Sequence, residues 1–135
     1  MVSERPAFVD EHAITLVVPV ETAHAAVRAE VEHLLGRWGS SPVTRLLGTT
    51  PRAGFEVAED DPPRLVSLVG RHRFSRYALD FRVESTATGS VVTALTYADF
   101  PGPRGRVYRT LVIGSHGHVL AVRRMLAGIR RRADA

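Results

Sequence analysis

The sequence contains no cysteine and no lysine; all 18 of its basic residues are arginine. Without cysteine it has neither a disulfide framework nor a thiolate for metal binding or nucleophilic attack. The missing lysine inflates the isoelectric point of about 10.6, because arginine stays protonated where lysine would titrate; the formal charge is only +4. The arginines are scattered, and only Arg130, Arg131 and Arg132 cluster. A nucleic-acid surface gathers its cations on one face beside stacking aromatics, so no nucleic-acid partner is expected. No apolar run approaches the roughly 20 residues of a membrane span, and MVSERPAFVDEH lacks the apolar core of a signal peptide. A cytoplasmic protein without a membrane span is expected. Also missing are a GxSxG elbow, an HExxH pair, a phosphate-loop pattern and a carboxylate pair of recognisable spacing. No cofactor and no metal are expected.

What is present is an ordinary globular composition over 135 residues, 44% hydrophobic and 24% charged. Residues 1–10 have few packing side chains and read as a flexible leader, with a single domain over 11–135. Glu11 to Val20 alternates as a strand, and Pro19 stops it. Thr22 to Leu35 reads as a helix with Val27, Val31, Leu34 and Leu35 on one side and Arg28, Glu32 and His24 on the polar side. Short strands follow at Val43–Thr49 and Phe55–Ala58, then a Glu-Asp-Asp-Pro-Pro turn and two longer strands, Arg64–Arg73 and Arg76–Ser85. In the second of these, Tyr77, Leu79, Phe81 and Val83 oppose Arg76, Ala78, Asp80, Arg82 and Glu84, so one sheet face is covered and the other wet. Val91–Phe100 is the last strand; its two parities are equally apolar and leave its inner face open.

The last third, from Pro103, reads as one amphipathic helix of roughly 28 residues, about 42 Å long. Tyr108, Leu111, Val112, Ser115, Val119, Val122, Leu126 and Ile129 share a stripe. Gly114 and Gly117 disturb it, each at about 1 kcal/mol against alanine. The stripe and the apolar sheet face must cover each other, which makes an α+β two-layer domain.

This order resembles the helix-grip arrangement of the START-like, Bet v 1-like superfamily, which includes polyketide cyclase/dehydrase-type proteins. HAITLVVPVETAHAAV, GFEVAEDDPPRLVSLVGRHRFSRYALDFRVES and TYADFPGPRGRVYRTL carry the resemblance. It implies a curved antiparallel sheet of about six strands wrapped around the long C-terminal helix, with a cavity between them for a small hydrophobic or amphipathic molecule. It supplies no universal catalytic motif. The alternatives are a cyclase- or dehydratase-like enzyme using Tyr or His in that cavity, and an interaction module without a ligand. Homodimerisation through an edge strand or the helix is left open.

Polar groups facing such a cavity are the informative ones. Tyr77 and Phe81 from the sheet, His72 if Val66, Leu68, Gly70 and His72 are the inward face of their strand, and Tyr108, Ser115, His118 and Val119 from the helix stripe or its border, are the cavity candidates. Tyr97 joins them if its face of the last strand is inward, and Asp99 would then accompany it. For each tyrosine the competing reading is core packing with the hydroxyl at the rim. His116 and His118 do not make a metal pair on a continuous helix, because positions i and i+2 point about 200° apart; only a break at the two glycines would let both rings converge.

Overall fold

The computed structural model describes residues 6–39, Leu46, Gly48, 54–112 and 116–135. β1 (Phe8–Leu16) leads into α1 (Val20–Trp38), followed by β2 (Glu56–Asp61), β3 (Leu65–His72), β4 (Ser75–Thr86) and β5 (Gly89–Asp99). Two helices, α2 (Gly102–Val112) and α3 (Gly117–Asp134), come after the last strand. The strands form one antiparallel sheet in the order β1-β5-β4-β3-β2. Tight turns join β2 through β5 as a meander, and β1 is added at the far edge beside β5.

The described sheet has five strands where about six are expected. The missing candidate, Val43–Thr49, falls almost wholly outside the described residues. β1 also starts earlier than expected: Phe8 and Asp10 pair with Tyr97 and Thr96, so residues 8–10 belong to the sheet. The Phe8 ring meets the Tyr97 ring edge-on at 5.7 Å, a cross-strand aromatic pair that anchors this end.

α1 and α3 lie together on one face of the sheet. Val27 and Val31 of α1, Leu126 and Ile129 of α3, and Val66, Phe81 and Val92 of the sheet are all buried in one cluster. The void left among them is about 10 Å³, bordered by Val31, Leu68, Phe81, Met125 and Ile129. This is roughly the space of one water, so the layer is closed at this level. α1 is tied to the sheet by charge as well. His24, expected on the polar side of its helix, is buried and bonds Asp60 of β2 at 2.7 Å, with Arg28 on the other oxygen at 3.4 Å. The helices approach closely where Glu30 passes over Gly128: a Cβ there would run into the Glu30 carboxylate, which Arg132 holds at 3.3 Å.

The C-terminal stripe is broken into two helices rather than continuous. His116 adopts a left-handed backbone, with φ at 61°, immediately before α3 begins at Gly117. The break frees the two pieces to take different partners. α3 buries Val122, Met125, Leu126 and Ile129 against α1 and the sheet. α2 instead leaves Val107 and Leu111 more than 60% exposed and turns Tyr108 towards the sheet.

Candidate functional site

The face of the sheet under the helices is organised in rows by the strand register. Leu68, Leu79, Thr96 and Asp10 lie side by side across β3, β4, β5 and β1. Gly70, Tyr77 and Ala98 form the next row, and His72 lies one position further along the same face of β3. Side chains alternate along a strand, so Val66, Leu68, Gly70 and His72 share the inner face. Burial settles the open parity of β5: Ser90, Val92, Ala94 and Thr96 are buried, while Val91, Thr93, Leu95 and Tyr97 are only half-buried. The small side chains of Thr96 and Ala98, with Gly70 beyond Tyr77, make a low floor.

One side of this floor is an aromatic wall. Trp38 at the end of α1 contacts Phe55 at 5.8 Å between ring centres, and Phe55 contacts Tyr77 at 4.7 Å. Tyr77 meets His72 at 5.6 Å, and His72 meets Tyr108 of α2 at 4.7 Å. Phe74 stacks on Tyr108 at 5.6 Å and meets the His72 ring at 6.0 Å. The Tyr77 hydroxyl donates to the Gly54 carbonyl, and Gly70 leaves room for that approach. Burial, with a smaller contribution from Tyr108, pushes the Tyr77 phenol up to about 12, so it remains a neutral donor. Burial raises Tyr108 as well. The Phe74 N–H donates to His72 Nδ1 at 3.0 Å, which puts the neutral imidazole's proton on Nε2.

The opposite side is polar. Asp10 of β1 bonds His118, at the start of α3, through Oδ1 at 3.0 Å and His12 through Oδ2 at 3.2 Å. Burial opposes ionisation of Asp10, but the bonds and charges of His118 and then His12 outweigh it and hold the carboxyl below its ordinary value. Between the two sides lies Thr96. It is 8% exposed, and its Oγ1 is buried with no hydrogen-bond partner among the described residues. From Tyr77 to Asp10 the floor spans two strand spacings and one row, about 12 Å between backbone positions.

The candidates divide as follows. His72, Tyr77 and Tyr108 meet in the aromatic wall, and His118 belongs to the polar side. Phe81, 1% exposed, is closed into the core beneath α1 and α3. Val119 is half-buried on the first turn of α3, and Ser115 lies outside the described residues. Tyr97 and Asp99 are on the outer face, where Asp99 accepts from Arg76 at 2.7 Å and from the Ala7 N–H at 3.1 Å. Those bonds keep its carboxyl below the ordinary range. Asp10, His12 and Thr96 are members that sequence reasoning missed. The available signal was parity: Asp10 and His12 continue the alternation of Ile14 and Leu16 on β1. Among the described residues no group of His, Asp and Glu side chains is arranged to hold a metal ion. None of the described helices is long and apolar enough to cross a membrane.

A concavity of about 860 Å³ lies between α1 and α3, with Leu34, Trp38 and Met125 against Arg37, Arg124 and Arg131. It is an open groove on the helical side, and Trp38 lines it as well as ending the aromatic wall.

No protein-family model and no curated protein sequence matches the chain. Solved structures do. Protein MLL2253 from Mesorhizobium loti aligns over 93% of this chain and 96% of its own, with a TM-score of 0.56 and 15% identity. Protein CV1439 from Chromobacterium violaceum aligns over 96% and 99%, with a TM-score of 0.56 and 12% identity. The chain has a helix-grip fold. Here the fold has five described strands and a divided C-terminal helix. CalU16 from Micromonospora echinospora is similar over 92% of this chain and 81% of its own, with a TM-score of 0.50 and 12% identity.

The lowered pKa of His72 gives the helix-grip domain an expected response to acid. Burial disfavours its imidazolium, so the unfolded chain takes up the proton more readily than the folded one. The stability that His72 contributes is intact above its ordinary value of 6.5 and is lost as the pH falls through the lowered folded value. The melting temperature is expected to fall over that interval, and less steeply in His72→Gln. Superimposable pH profiles of the two proteins would refute it.

Proposed function

We propose that the protein binds a small hydrophobic or amphipathic molecule on the inner sheet face, between the aromatic wall and the Asp10–His118 pair. The apolar part packs against Tyr77, His72 and Tyr108; the polar end reaches Thr96 and the polar side. The observation that carries this reading is the Thr96 hydroxyl. A buried hydroxyl without a partner costs about 1–3 kcal/mol, and a ligand oxygen or nitrogen beside it recovers that loss. The floor supports the same reading, since small residues flanked by aromatics on one side and fixed polar groups on the other are how ligand sites combine packing with orientation.

The test is native mass spectrometry of freshly purified protein, followed by denaturing extraction. A stoichiometric adduct released on denaturation is the expected result, and its mass identifies the ligand class. For protein purified empty, anilinonaphthalene sulfonate is titrated while the emission of Trp38, the one tryptophan, is followed. Trp38 contacts Phe55, which contacts Tyr77, and also lines the groove between α1 and α3, so a saturable change in its emission that is weakened in Tyr108→Ala marks occupation of the wall. Protein that carries no adduct and shows no saturable change in Trp38 emission contradicts the reading.

A further inference from the structure

The polar side of the floor has a feature that binding alone does not require. One carboxylate holds two imidazoles, one on each of its oxygens, and they come from different elements: His12 from β1 and His118 from α3. Each ring that donates Nε2–H to Asp10 keeps its lone pair on Nδ1. A carboxylate behind an imidazole fixes the ring's orientation and tautomer and stabilises its protonated form. Two such rings on one anion carry a proton in exchange: with one neutral and one protonated, Asp10 balances the single positive charge. Imidazole is also the side chain whose ordinary pKa suits it to give and take protons near neutrality. Beside them stands the Thr96 hydroxyl, 8% exposed and without a partner among the described residues, next to Asp10 in the register. A hydroxyl in that position donates to a carbonyl oxygen and stabilises the negative charge that develops there.

We propose that Asp10, His12 and His118 form a proton-transfer site, moving a proton between two carbons of a bound unsaturated ketone whose oxygen is held by Thr96. This rests on the binding reading above. The neutral imidazole takes a proton from the carbon between the carbonyl and the double bond. The C–H electrons form a new C–C double bond while the carbonyl oxygen becomes an enolate, hydrogen-bonded by Thr96. The protonated imidazole then gives its proton to the far carbon of the original double bond, and the enolate electrons re-form the carbonyl. A β,γ-unsaturated ketone thereby becomes its conjugated isomer. The two imidazoles have exchanged protonation states, which proton exchange with water restores, and no oxidant, reductant or second substrate is consumed. The span of about 12 Å from Asp10 to Tyr77 selects ketones whose other end is aromatic or similarly apolar.

Phenyl allyl ketone and its naphthyl analogue are the probes. Binding is read by saturation-transfer NMR, and turnover by the absorbance of the conjugated product and by deuterium uptake in D2O. The wild type is expected to bind and isomerise at least one of them. His12→Ala and His118→Ala should each lower turnover on the order of 10²–10⁴-fold, the usual contribution of a general acid or base. Added imidazole should restore part of that loss, which it would not do for a merely structural histidine. His118→Gln provides a second, conservative variant should the alanine variant fold poorly. Asp10→Asn, a change in the positioning residue, is expected to lower kcat while leaving KM nearly unchanged. Ketones that bind but isomerise no faster with the wild type than with the double variant His12→Ala/His118→Ala overturn the proposal and leave the binding reading standing. If neither ketone binds, the proposal is also overturned, and the adduct and Trp38 measurements decide the binding reading separately.

Discussion

Phe81→Ala is expected to lower the unfolding free energy by about 3–5 kcal/mol, the usual loss for a buried phenylalanine cut to alanine. Phe81 is 1% exposed, and its flanking partners in the sheet register are Val66 on β3 and Ala94 on β5. Ala94 is too small to fill the space, and Val66 is β-branched and restricted at χ1. Above it, Met125 and Ile129 of α3 already border the small void, so the deletion enlarges a cavity that the rigid helices cannot close. A domain of this size has a total stability of about 5–15 kcal/mol, and the variant therefore loses a large share of it. Urea unfolding checks the expectation, with Val107→Ala as the control. Val107 is 63% exposed on α2, and its truncation should change stability by no more than about 0.5 kcal/mol. Equal, small losses in both variants would show that the core is not where the sheet and α3 meet.

Gly70→Val should disrupt the aromatic wall and destabilise the protein by about 2–4 kcal/mol, combining overpacking with a lost buried hydrogen bond. A Cβ at Gly70 would run into the Gly54 carbonyl oxygen and lie 2.7 Å from Cε2 of Tyr77. The first is backbone and the second a ring held between Phe55 and His72, so neither yields cheaply. Removing glycine from a strand gains roughly 0.5–1 kcal/mol of backbone entropy, which the clash outweighs. Part of the effect is expected to run through Tyr77. In a Tyr77→Leu background the same substitution should therefore cost at least 0.5 kcal/mol less, within the usual range for contacting residues, roughly 0.5–3 kcal/mol. Strictly additive losses would contradict this geometry.

Parts of this architecture were legible in the sequence. β4 was in part: Tyr77, Leu79, Phe81 and Val83 alternate against Arg76, Arg82 and Glu84, but Ala78 and Asp80, expected on the wet face, are buried, and Asp80 accepts from Ser67 at 2.6 Å. β5 was not, because both of its parities are apolar; its inner face is chosen by the partner strand, which sets Ala94 beside Phe81 and Ala98 beside Tyr77. The division of the C-terminal helix was hidden for a related reason. Both pieces keep helical periodicity, and two glycines cost only about 1 kcal/mol each, a weak signal beside a long apolar stripe. What ends the regularity is the left-handed backbone at His116. The wall was half-legible. His72, Tyr77 and Tyr108 carry their chemistry openly, while Trp38 and Phe55 join them only through the fold. Asp10 and His12 were obscured by their polarity. Asp10 fell in the expected leader and His12 at the start of the expected strand, and only pairing with Thr96 and Ala94 places them on the inner face.

The most direct test of the binding reading is a methyl NMR titration of alanine-labelled protein with anilinonaphthalene sulfonate. Ala98 reports on the inner-face floor, and Ala121 and Ala127 line the open groove between α1 and α3. The account predicts saturable shifts at Ala98, with Ala121 and Ala127 unmoved. Shifts confined to Ala121 and Ala127, with Ala98 unchanged, would place the ligand in the groove and contradict it.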